Sequence, residues 1–153
     1  MYEYKKKFLP LIFFLLVFID QLSKYIVRLR QPADSGFYIC NPGVAFGIKI
    51  PDILFWSFWL IIIFMLTVFL YKKCFIPNTL YLILILSGAL SNMLDRFAYG
   101  CVIDFIDLKI LPRSELVWGW PLFNLADTFI VLGVIVVLLN QFKHLSIRKL
   151  FKN

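Results

Sequence analysis

Four apolar stretches, at about residues 8–26, 53–70, 79–96 and 122–141, dominate this chain. Each approaches the about 20 residues that a helix needs to cross the hydrocarbon core of a bilayer. In that solvent no water is at hand for backbone N–H and C=O groups, so each stretch must close its own hydrogen bonds as a helix. Hydrophobic residues make up 61% of the 153, against roughly 45–50% in soluble domains. The expectation is an all-α membrane protein: four transmembrane helices with a small β-containing extracytoplasmic loop region, residues 1–153 forming one domain.

Charge sets the orientation. The net charge of +7 sits at the ends of apolar stretches and not in one patch, which argues against a nucleic-acid partner. Lys5, Lys6 and Lys7, then Lys72 and Lys73, then Lys143, Arg148, Lys149 and Lys152 fall on one side; every acidic residue except Glu3 falls on the other side or its helix ends. The positive-inside rule then puts both termini in the cytoplasm. The basic run before the first stretch resembles a secretory signal, but no small-x-small site follows and Asp20 and Lys24 occupy its end, so it reads as a retained helix.

The polar residues inside or beside the spans converge. The first stretch travels outward and finishes with Asp20 and Lys24, four apart and able to pair as an interfacial anchor, with Lys24 snorkelling to water. The third also travels outward, and Gly88, Asn92 and Arg96 recur on one face near its end, beside Asp95. The fourth travels inward and carries Asn124 and Asp127 near its start, while Asn41 and Asp104 lie in outer loops. All of these reach one depth on one side, as residues of a single site would. Ser87, Ala89 and Ser91 allow close helix packing.

Carboxylate chemistry is what the composition leaves. The single histidine, His144, lies in the basic tail, so neither a His-based triad nor a His-containing metal cluster is supported, and no metal or other cofactor is expected. A Ser23–Lys24 dyad is disfavoured because adjacent helix residues point about 100° apart. Asp104 and Asp127 both sit in apolar runs, where an ionised group is costly. Two aspartates held close in a low-dielectric site share one proton, one able to take a proton from water while the other polarises a carbonyl.

These residues resemble the bacterial lipoprotein signal peptidases, or signal peptidase II. The resemblance rests on five blocks in order: Asp20…Lys24, Asn41…Gly47 with Gly43 in its turn, Gly88…Arg96, Val102…Phe105, and Phe123…Asp127 with Asn124 and Ala126. It implies a catalytic pair of Asp104 and Asp127, supported by Asp20, Lys24, Asn41, Gly43, Asn92, Arg96, Asn124 and Ala126. It also implies cleavage of prolipoproteins before a diacylglyceryl-modified cysteine, at the outer face of the bacterial cytoplasmic membrane. The partners are then the lipid-modified precursor and the phospholipid bilayer, and the enzyme is expected to be a monomer. Ser87 and Ser91 replace glycines usual in the family, a modest packing change. Asp107 is also acidic and nearby, but the Val-x-Asp-Phe match singles out Asp104.

Three expectations stand beside this. A small four-helix proton-coupled transporter would use Asp20 as its carrier carboxylate, although that residue lies past the bilayer midplane where carrier sites sit. Cys40, Cys74 and Cys101 are odd in number with no paired spacing. Cys40 and Cys101 share the outer side and are able to pair, but free thiols are expected. The segment 106–121, lying over the polar cluster, is a candidate lid.

Overall fold

The computed structural model of the protein describes residues 8–30, 36–43, 51, 53–54, 56–57, 59–61, 63–64, 80–108 and 121–150, the last eight by backbone alone. Among the described residues three long helices carry the fold: α1 (Leu9–Arg30), α2 (Leu80–Tyr99) and α3 (Leu125–Leu150). All three are long and apolar enough to cross a membrane, α3 through its Leu125–Phe142 portion. The described residues between 53 and 64 are helical, and Trp56 rests against Phe97 of α2 with ring centroids 5.0 Å apart. The remainder of the expected second span, the 44–50 part of the Asn41–Gly47 turn and most of the candidate lid lie outside the described residues.

The helices begin and end where local chemistry dictates. Pro10 falls in the first turn of α1, where its missing N–H costs nothing. α2 runs to Tyr99, and Gly100 takes a left-handed φ of 75° while its N–H donates to the Arg96 carbonyl at 3.0 Å, a glycine C-cap. α3 begins three residues later than the hydrophobicity predicts. Leu122 and Phe123 are extended because Phe123 pairs with Ile106 in an isolated antiparallel bridge, and Asn124 then caps the helix. The β-containing loop region is a two-stranded sheet, β1 (Ile39–Asn41) antiparallel to β2 (Val102–Asp104).

Polarity is inverted relative to a water-soluble protein. Asp20, Lys24, Ser87, Ser91, Asn92, Asp95, Asp104 and Asn124 are buried, while Leu11, Phe14, Phe18, Leu29, Leu132 and Leu139 stand exposed along the helices. A surface of this kind is stable only where the surroundings are as apolar as the side chains, and membrane embedding supplies that.

Close approach of α2 and α3 closes the core. A Cβ on Gly88 would collide with the Ala126 carbonyl and lie 2.8 Å from Ile130 Cγ1; one on Gly133 would lie 2.8 Å from the Tyr81 carbonyl. Small residues substitute packing for the hydrophobic drive that lipid cannot provide. Gly88→Ala is therefore expected to cost about 1–3 kcal/mol through overpacking. Thermal unfolding in detergent measures it, and an unchanged midpoint would refute so tight a contact.

The structure also links Cys40 to Cys101 by a disulfide with Cα atoms 5.4 Å apart, correcting the expectation of free thiols. The pairing follows from the strand register, which spacing along the chain does not reveal.

Candidate active site

The start of α3 organises the site. Asn124 caps the helix: its Oδ1 accepts the Asp127 N–H at 2.9 Å, and its own N–H donates to Asp127 Oδ2 at 3.2 Å, a reciprocal capping box. The next free amide of the first turn, Ala126 N–H, donates to Asp20 Oδ1 at 2.8 Å. A carboxylate from α1 thus seats at the positive end of the α3 dipole. Ala126 is fully buried, with no room between it and Gly88.

Asp20 is further bound by Ser91 Oγ at 2.7 Å and Lys24 Nζ at 2.6 Å, both on Oδ2. Lys24 is 2% exposed and does not snorkel, which corrects the anchor reading. Its three N–H donors meet three acceptors: Asp20 Oδ2, Asp95 Oδ2 at 2.8 Å and Asn92 Oδ1 at 2.9 Å. Ser23 Oγ donates to the Asp20 carbonyl at 2.6 Å and takes no part in a dyad with Lys24.

Asp104 and Asp127 enter one hydrogen-bonded network. Asn124 Nδ2 donates to Asp104 Oδ1 at 2.7 Å, and Asn41 Nδ2 donates to Asp104 Oδ2 at 2.9 Å. Asn92 Nδ2 donates to Asp127 Oδ1 at 2.8 Å, while Asn92 Oδ1 accepts from both Lys24 and Asn124. Asn124 therefore touches both carboxylates, one through its side chain and the other through its backbone. The Ile106–Phe123 bridge makes this possible by holding the end of β2 beside the residue that caps α3.

Arg96 closes the outer side. Its guanidinium donates to the Gly43 carbonyl at 2.7 Å and the Asn92 carbonyl at 3.2 Å, and its charge reaches Asp104 and Asp127. Gly43 is placed by an Asx turn in which Asn41 Oδ1 accepts the Gly43 N–H at 2.9 Å. All ten residues singled out in the sequence thus fall in one contiguous cluster.

Three further participants stand beside these ten. Asp95 is fully buried, accepting Gln21 Nε2 on Oδ1 at 2.8 Å and both Lys24 and the Ile103 N–H (3.2 Å) on Oδ2. Gln21 also donates to the Ser91 carbonyl and hydroxyl at 3.0 Å each. Ser91 is thus a bonded member of the network as well as a small packing residue. The four-residue spacing of Ser91 and Asp95, and of Gln21 one place after Asp20, was the available signal.

Burial pushes the Asp104 carboxyl up to about 6, and the Asp127 charge adds to this; the hydrogen bonds from Asn41 and Asn124 and the charge of Lys24 oppose it. A carboxyl whose pKa is raised on folding stabilises the fold at low pH, and that contribution is lost as pH rises through the folded value. The stability of the wild type relative to Asp104→Asn should therefore increase as pH falls from 7 towards 4. Thermal midpoints of both proteins over this window test the sign.

A family profile described as signal peptidase (SPase) II matches residues 12–143. The lipoprotein signal peptidase of Blochmanniella pennsylvanica is 34% identical, the alignment covering 89% of each chain. That of Moorella thermoacetica is 40% identical, over 80% of this chain and 85% of its own. A solved structure described as a bacterial membrane enzyme, determined by the in meso method at 1.9 Å resolution, superposes with a TM-score of 0.67 at 30% identity, over 88% of this chain and 92% of its own. With the match running through all three described spans and both strands, the chain belongs to the signal peptidase II family.

Proposed function

We propose that this protein is a lipoprotein signal peptidase of the aspartic type, with Asp104 and Asp127 as its catalytic pair. The observation that carries this reading is Asn124, which holds one carboxylate through its side chain and the other through its backbone. With one proton between them, the ionised aspartate takes a proton from water as the water oxygen attacks the scissile carbonyl. The protonated aspartate gives its proton to the carbonyl oxygen. Collapse of the tetrahedral intermediate returns a proton to the leaving amine, that of the lipid-modified cysteine. Asn41, Asn92 and Asn124 fix the carboxylates' orientation, and Arg96 offsets negative charge.

The exposed apolar flanks support a four-span arrangement of residues 1–153 in the bacterial cytoplasmic membrane. In it the described helical residues between 53 and 64 begin the remaining span, both termini are cytoplasmic, the site is at the outer face, and the working unit is a monomer. The transporter reading has no support among the relatives, and the carboxylate it would use, Asp20, is bonded by Lys24, Ser91 and the Ala126 amide within the cluster.

Processing of a lipid-modified precursor by the purified protein in lipid tests the proposal, with the two aspartate variants treated below as its decisive arm. Because the chemistry assigned here needs no metal, excess chelator should change the rate by less than about twofold, whereas a catalytic metal's removal abolishes turnover. Chelator-sensitive cleavage would exclude this mechanism.

A further inference from the structure

Asn41 and Asp104 belong to different strands, and the strands are short. β1 and β2 share three rungs, Ile39 opposite Asp104, Cys40 opposite Ile103 and Asn41 opposite Val102. A two-stranded ribbon is marginal on its own, and slipping its register by one residue turns each side chain to the other face. In the observed register Asn41 and Asp104 are diagonal neighbours on one face, because Val102, opposite Asn41, lies two residues before Asp104. Cys40 points to the other face. Its opposite number is Ile103, and Cys101 lies two before that, so the disulfide crosses the ribbon on the back of the Asn41–Asp104 contact.

The disulfide is therefore compatible with this register and not with one slipped by a residue. A Cα separation of 5.4 Å is within the usual span of a disulfide. A one-residue slip would carry Cys40 to the face away from Cys101 and Asn41 to the face away from Asp104. Asn41 also seats Gly43, whose carbonyl takes Arg96 Nη2, so the same slip would release the guanidinium. Cys40 is exposed and Cys101 is buried.

We propose that the Cys40–Cys101 disulfide is a positioning device for the peptidase reaction, locking the strand register that places the Asn41 amide on Asp104, so that full activity requires the oxidised pair. This rests on the aspartic reading above. Reduction by a dithiol transfers two electrons and two protons to the pair, giving two thiols as the dithiol closes to its cyclic disulfide. The charged groups facing Asp104 during this change are Asp127 from α3, Lys24 from α1 and Arg96 from α2.

The test uses the full chain in lipid, with a lipid-modified precursor peptide, before and after dithiothreitol. Thiol alkylation and mass measurement confirm the state of the pair. Reduction should lower kcat roughly tenfold, the worth of one charge-assisted hydrogen bond, with KM within about twofold. The pH–rate profile should move to higher pH, since Asn41 donation favours the ionised form of Asp104, and reoxidation should restore both. The Cys40→Ser/Cys101→Ser double variant should match the reduced enzyme and ignore dithiothreitol. Asn41→Ala should reproduce the loss, and reduction should then add little, as expected for changes acting through one contact.

Two free thiols with an unchanged kcat and pH profile would overturn the proposal. So would a loss accompanied by aggregation or falling helix content, or losses from Asn41→Ala and reduction that simply multiply. Retained activity in Asp104→Asn would instead sink the aspartic reading, a result independent of the redox arm.

Discussion

Replacing either Asp104 or Asp127 by asparagine should lower kcat for precursor cleavage by about 10³-fold, within the range expected for loss of a general acid or base. Asparagine keeps the shape of the side chain and one hydrogen-bond acceptor, but it can neither take up nor deliver the proton that peptide hydrolysis must move. Binding should survive. The groups around Asp104 (Asn41, Asn124) and Asp127 (Asn92, the Asn124 amide) remain in both variants. KM should thus change little, which is the pattern for an interaction used only in the transition state. In the wild type the pair should titrate as a unit with two apparent pKa values. A variant that cleaves within about tenfold of wild type would remove that residue from the pair.

Lys24→Met should destabilise the protein by about 3–5 kcal/mol, because it strands two buried carboxylates without their shared cation. Lys24 answers Asp20 and Asp95 at 2.6 and 2.8 Å, and all three side chains are out of reach of water. The Lys24→Met/Asp20→Asn/Asp95→Asn triple variant should recover most of that loss, since removing all the charges together leaves no unpaired ion. Thermal unfolding in detergent reads both. If Lys24→Met melts with the wild type, water or lipid headgroups must reach the cluster and its burial is wrong.

Much of the architecture was legible from apolar length and the depth of the polar residues. α1, α2 and α3 begin within three residues of the expected spans, and all three run on past their predicted ends, to Arg30, Tyr99 and Leu150. The late start of α3 was not legible: Phe123 is as apolar as a helix residue, and only its pairing with Ile106, distant in sequence, makes it extended. The burial of Lys24 was not legible for a similar reason. A lysine near a helix end has a stem long enough to reach water, and what keeps it inside is three acceptors, two of them from α2. Motif order led to Asn41, Asn92 and Asn124, yet Gln21 and Asp95 needed coordinates to show what they hold. The disulfide stayed hidden because cysteine spacing carries no information about register across a 61-residue separation.

The contact between Asp20 and the Ala126 amide joins positions 106 apart. A ribosome has therefore delivered most of the chain before the partner of Asp20 exists. Until then Lys24, one turn along the same helix, is a counter-charge within local reach, and it allows α1 to enter lipid with that pair neutralised. Asn124 and Asp127 arrive with the start of α3. On the aspartic reading proposed above, a nascent chain that still lacks α3 lacks Asp127 and the Asn124 cap, and so holds no catalytic pair.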